Sequence, residues 1–178
     1  MADIVPGLPQ ASEYHPGFAA YIAKAQAFAD PVQKLAEQLK EVSDLLSPLD
    51  PVRAHYRYAP GKWSVQELLG HITDAERIFA ARALHVARAD PAPLPGWEEN
   101  AYVAAAEAER CPFDELLAEF GHVRQASVLM FRHLPEQAWP RQGVVNGAAS
   151  SVRAIAYVMI GHVAHHLEIL RERYLHAG

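Results

Sequence analysis

Four stretches of this chain carry apolar residues at three- and four-residue steps, and no alternating pattern competes with them as a strand. The first runs through Val32, Leu35, Leu39, Val42 and Leu46. Asp30-Pro31 opens it, with Asp suited to the N-cap and Pro to the first helical position. Pro48 and Pro51 end it. The second begins at Ser64-Val65-Gln66-Glu67, a capping box in which Ser64 caps and Glu67 reaches back. Its stripe is Leu68, Ile72, Ala75 and Phe79, with Leu68, His71, Ala75 and Ile78 alongside, and it runs to about Arg88. The run Asp90-Pro-Ala-Pro-Leu-Pro-Gly96 breaks it.

The third stretch starts at Pro112 and closes at Pro135, with Phe113, Leu116, Phe120, Val123, Ser127, Met130 and Leu134 on one face. The fourth is capped by Ser150 or Ser151 and runs to about Leu175. Between the second and third lies a long crossover whose segment Trp97 to Glu109, Ala-rich and acidic, suggests a short helical piece. Between the third and fourth, Asn146-Gly147 is a strong turn signal, compatible with a small hairpin. Residues 1–30 read as an N-terminal arm, irregular through Pro6, Pro9 and Pro16, with a short helix expected from Phe18 to Ala29. Residues 31–178 form the domain proper. Amphipathic helices must bury their stripes against one another, so the fold expected is an all-α four-helix bundle.

Composition narrows the classes. With 178 residues, 51% hydrophobic and 21% charged, the chain reads as one globular domain. A net charge of −5 without clusters of Lys and Arg argues against a nucleic-acid partner and against an anionic membrane surface. No stretch reaches about 18 uncharged apolar residues, so no transmembrane helix is expected. The opening Met-Ala-Asp-Ile-Val-Pro lacks the basic and apolar regions of a secretory signal. Cys111 is the only cysteine, which rules out an intrachain disulfide and suits a reducing compartment. A cytoplasmic protein is expected. Cys111 itself, before Pro112 and with no legible Cys-His arrangement, reads as structural.

The chain holds ten histidines, so a bare His-x-x-x-His is a weak signal. Helical phase adds to it. Val152, Ile155, Met159, His162, His166 and Ile169 follow alternating steps of three and four, which puts His162 and His166 at consecutive core positions. Their Cα atoms lie about 6 Å apart on one face, close enough for both rings to meet one ion. His165 falls in the partly polar row of Val158, Gly161, Glu168 and Glu172 and should flank that position. His71 lies at the edge of the second helix's apolar face and can supply a third nitrogen if the two helices are neighbours. Asp74 and Glu168 are candidate acceptors for an imidazole N–H, or simply solvated charges; Asp74 is also the one candidate general base. Tyr56, Tyr58, Trp63, Trp97 and Tyr102 are candidates for a pocket mouth, or ordinary packing. His15, His55, His85, His122, His133 and His176 read as surface or loop residues.

Two segments carry a resemblance. Ala59-Pro-Gly-Lys-Trp-Ser-Val-Gln-Glu-Leu-Leu-Gly-His71-Ile-Thr-Asp-Ala-Glu-Arg77 resembles the second helix of DinB-like proteins, and Ser151-Val-Arg-Ala-Ile-Ala-Tyr-Val-Met-Ile-Gly-His162-Val-Ala-His-His166-Leu-Glu-Ile-Leu170 resembles their fourth. Leu94-Pro-Gly-Trp-Glu-Glu-Asn100 is similar to the family's crossover. The resemblance implies an up-down-down-up bundle with the long crossover between helices 2 and 3. It implies a metal triad at His71, His162 and His166, holding zinc or nickel. It further implies group transfer with a low-molecular-weight thiol, or metal-dependent hydrolysis, on a small-molecule substrate, and a homodimer. The residues themselves leave three functions open: a metal-dependent enzyme, a non-catalytic metal- or ligand-binding module, and a scaffold whose core histidines bond to each other.

Overall fold

A computed structural model describes residues 5–175, so His176 lies outside them. Seven helices are present among the described residues: α1 (Ala19–Ala25), α2 (Pro31–Leu46), α3 (Pro51–Ala54), α4 (Val65–Ala87), α5 (Glu99–Ala106), α6 (Phe113–Arg132) and α7 (Val152–Ile169). The strands β1 (Gln142–Val145) and β2 (Ala148–Ser151) form an antiparallel hairpin between α6 and α7. Its two-residue turn is Asn146-Gly147, both at positive φ as a tight hairpin turn requires.

The helix ends follow their local chemistry. Asp30 Oδ1 accepts from Val32 N and Gln33 N at the start of α2. Ser64 and Glu67 form both bonds of the capping box at the start of α4. Ser151 Oγ accepts from Ala154 N at the start of α7. Three features depart from expectation. The short helix of the arm spans only Ala19–Ala25, a four-residue α3 follows α2, and the α-helical part of the last helix stops at Ile169 before a wider π-helical stretch Leu170–Leu175.

α2, α4, α6 and α7 form the bundle. α2 and α4 each pack against both α6 and α7, so α2 sits across a diagonal from α4, and α6 from α7. Two apolar clusters fix the directions. One joins Val32 and Leu35 of α2 and Ile155 and Met159 of α7 to Phe79 and Val86 of α4 and Phe131 of α6. The other joins Val42 and Leu46, Val163 and Leu167, Leu68 and Ile72, and Leu116 and Phe120. The first halves of α2 and α7 thus share a cluster with the second halves of α4 and α6. α4 runs parallel to α6 and antiparallel to α7, a topology that only a long crossover between α4 and α6 allows.

A polar layer separates the two clusters. Gln38, Glu76 and Arg124 are buried there beside His162. Arg124 Nη2 lies 2.9 Å from Glu76 Oε2. Its Nη1 donates to Gln38 Oε1 at 3.1 Å, and Gln38 Nε2 donates to Ile160 O at 2.8 Å. Of the face expected for this segment, Leu116, Phe120, Ser127 and Leu134 are buried, whereas Phe113, Val123 and Met130 are half-buried. Arg124, Val128 and Phe131 are buried as well, which the sequence pattern did not include. The charge of Arg124 joins the seam because Glu76 pairs with it.

The arm is docked. Glu13 is buried and accepts from Ser151 Oγ and Arg153 Nε, both at 2.7 Å. α1 lies against α7 with its backbone almost touching. A Cβ at Gly161 would sit 2.0 Å from Tyr21 O, so only glycine permits this approach. No helix of the described residues is long and apolar enough to cross a membrane.

Candidate metal centre

His71 sits nearly two turns into α4, past the capping box that fixes where the helix begins. His162 and His166 lie one turn apart on the buried face of α7. Antiparallel packing of α4 on α7 brings the three rings together, 2%, 4% and 7% exposed. His162 Nε2 lies 3.0 Å from His71 Nε2 and 3.1 Å from His166 Nε2.

One imidazole nitrogen offers either one hydrogen or one lone pair. His162 Nε2 can therefore satisfy one of these two neighbours but not both, and a scaffold of mutually bonded histidines is left short. A cation resolves the conflict by taking all three lone pairs. With metal–nitrogen bonds of about 2.0–2.1 Å, separations near 3 Å subtend roughly 95° at the ion, between the octahedral and tetrahedral values. The donor set therefore fits a divalent metal.

Protonation points the same way. Burial lowers the His71 pKa from 6.5 to about 4. Burial, with the imidazoles of His71 and His165 nearby, lowers His166 to about 3. His162 is held well below 6.5 by burial and then by His166, His71, His165 and Arg124. All three are neutral at pH 7, the state in which imidazole binds metal.

Aromatic rings wall the cluster. Trp63 and Trp97 lie 4.8 and 5.7 Å from the His71 ring, centroid to centroid. Tyr21 and Phe79 lie 5.5 and 5.8 Å from the ring of His162. Trp97 in turn meets Tyr102 edge-on at 5.0 Å. Trp63 and Trp97 thus pack on the cluster itself, whereas exposed Tyr102 meets only Trp97 among the described rings. Tyr56 and Tyr58 instead pack on Tyr174. Tyr21 and Phe79 escaped the sequence reading: α1 is too short to show a period, and Phe79 reads as plain core.

The other candidates separate clearly. His165 is half-buried, 5.6 Å from Tyr21 and 5.2 Å from His166, and flanks the cluster. Asp74 pairs with Arg77 at 3.7 Å, and exposed Glu168 pairs with Lys24, so neither carboxylate serves the imidazoles. Nδ1 of His71 and of His166 is buried without a partner among the described residues. His15, His55, His122 and His133 are exposed, while His85 is half-buried at the end of α4 with Nε2 2.8 Å from Ala92 O. Cys111 is exposed.

Residues 34–170 match the sequence profile of the DinB superfamily. No curated protein matches the chain. Among solved structures, YfiT from Bacillus subtilis, described as a probable metal-dependent hydrolase with an unusual four-helix bundle topology, aligns with a TM-score of 0.72. The match covers 92% of this chain and 91% of that one at 15% identity, a likeness of fold.

Proposed function

The chain belongs to the DinB superfamily, and on that premise we propose that it is a metal-dependent enzyme in which His71, His162 and His166 hold one divalent ion, zinc or nickel. The observation that carries this reading is the convergence of three neutral Nε2 atoms at 3.0 and 3.1 Å in a buried, aromatic-walled position. Three protein nitrogens leave further coordination positions to the reacting molecule, as in catalytic rather than structural sites. Such an ion supplies Lewis acidity and a nucleophile usable near neutral pH.

The chain's own residues do the rest. Burial keeps the three imidazoles unprotonated. Trp63, Trp97, Tyr21 and Phe79 pack on the imidazole rings and keep bulk water from their faces. The reaction is metal-dependent hydrolysis or group transfer with a low-molecular-weight thiol as cosubstrate. The description of YfiT supports the hydrolytic form. A cytoplasmic homodimer completes the proposal.

The test is elemental analysis of protein purified without a histidine tag, followed by hydrolysis and thiol-transfer screens. We expect one zinc or nickel ion per chain, its loss in His162→Ala with helical content intact, and turnover that needs the ion. A well-folded wild-type chain that takes up neither metal overturns the proposal. Collapse of the fold on removing the metal makes the ion structural instead.

A further inference from the structure

A metal-binding histidine is ordinarily aimed by a hydrogen bond to its second nitrogen. His71 has no such bond: its Nδ1 is buried without a partner among the described residues. What touches the ring instead is a pair of indoles. Trp63 lies 4.8 Å from it, tilted 40°, and Trp97 lies 5.7 Å from it, nearly parallel at 16°.

Both indoles are mounted on fixed backbone. Trp63 directly precedes the Ser64 cap of α4, and its carbonyl accepts the Tyr174 hydroxyl at 2.7 Å. Trp97 stands in the crossover, four bonded contacts from free movement. Leu94 N donates to Val144 O and Asn146 N donates to Leu94 O, both at 2.9 Å, stitching the crossover to β1. Arg82 Nη2 donates to Pro95 O at 2.7 Å. Glu98 caps α5 by accepting from Ala101 N. Gly96, between Pro95 and Trp97, lies so close to the turn that a Cβ there would sit 2.3 Å from Asn146 Oδ1.

We infer that Trp97 is a positioning residue for His71, and that the β1–β2 hairpin is the mount that sets it. Stacking on a pinned indole does for His71 what a hydrogen bond does elsewhere. The chain of contact runs from the Asn146 side chain to Gly96, to Trp97, to the His71 ring. The hairpin thereby reaches the metal centre without supplying a ligand. The inference rests on the metal-binding reading above.

The experiment uses Co²⁺ as probe, read by its visible absorption and by competition with a chelating dye. Wild type and His162→Ala test the ligand set first. If wild type binds no Co²⁺, or His162→Ala binds as wild type does, the metal reading fails and this inference falls with it. If the ligand set stands, Trp97→Ala should weaken binding roughly tenfold or more, the usual effect of losing a residue that orients a ligand, and alter the absorption bands. Trp97→Phe, which keeps a flat ring, should restore most of the affinity. Trp97→Leu, which fills the space without a flat ring, should weaken binding as Trp97→Ala does, and it decides the matter if Trp97→Ala fails to fold. Affinity and spectrum within threefold of wild type in Trp97→Ala, or in Trp97→Leu where Trp97→Ala fails to fold, overturn the inference while leaving the ligand set standing.

Discussion

Replacing Gly161 by Ala adds one methyl group where α1 and α7 meet, and the structure fixes what that methyl encounters. Its carbon would lie 2.0 Å from Tyr21 O, 2.4 Å from Tyr21 C and 2.6 Å from Tyr21 Cα. A carbon–oxygen contact needs about 3.3 Å, so α1 must retreat by more than about 1 Å. All three obstacles are backbone, and no rotamer change relieves them. Overpacking of this kind costs about 1–3 kcal/mol. A gap of about 1 Å also forfeits up to half the dispersion contact of the interface, here that of the buried Ile22 and Ala25. Against this, alanine gains roughly 0.5–1 kcal/mol over glycine within a helix. The balance is a net loss of about 1–2 kcal/mol. For a chain of this size that lowers Tm by roughly 2–8 °C. Gly121 in α6 provides the control, since a Cβ there meets nothing within 4 Å. Gly121→Ala should raise Tm by roughly 1–4 °C from helix propensity alone. Thermal unfolding of both variants, followed by circular dichroism, therefore returns opposite signs. If both substitutions stabilise, the close docking of α1 on α7 is wrong, and so is the placement of Tyr21 beside His162.

Two further outcomes follow from the buried polar groups. His71 and His166 have folded pKa values of about 4 and about 3 against 6.5 unfolded. The unfolded chain therefore binds protons first, and stability that is present above pH 6.5 is lost as pH falls toward those values. Denaturant titrations of the metal-free protein should show a loss of roughly 1 kcal/mol per imidazole by pH 5.5, and a flat profile across this range refutes the burial argument. Arg124→Ala, which strands the Glu76 carboxylate in the core, should cost about 3–5 kcal/mol, whereas Arg124→Met with Glu76→Leu should recover most of it; equal midpoints for the two variants in chemical unfolding would contradict the ion pair.

The bundle was largely legible because its signals are local. The caps Asp30, Ser64 and Ser151 and the Asn146-Gly147 turn each act within a few residues, and the structure places each of them as its chemistry dictates. The α6 face was legible only in part, because Arg124 reads as a solvated charge until Glu76 is seen opposite it. His162 and His166 declared themselves by phase on one helix. His71 did not, since spacing within a helix says nothing about which other helix lies across from it, and only the resemblance supplied it. Asp74 and Glu168 have suitable chemistry and spacing, but their partners are Arg77 and Lys24. Tyr21 was invisible because its place depends on a missing side chain at Gly161, a fact of the α1–α7 contact and not of either segment alone.

The polar layer between the two apolar clusters has a consequence for assembly. Apolar clusters tolerate sliding, since one aliphatic contact replaces another at little cost. Gln38, Glu76 and Arg124 do not. A shift of α6 by one turn along α4 would bring Phe120 or Val128 opposite Glu76 and leave a buried carboxylate alone, at a cost of several kcal/mol. The layer thus acts as a register pin, as a single buried polar residue does in a coiled coil. Through Gln38 and the Ile160 carbonyl it extends to α7, just short of His162. A bundle in which α6 slides along α4 strands a charge, so the alignment that the four helices adopt around the imidazoles is favoured over its nearest competitors.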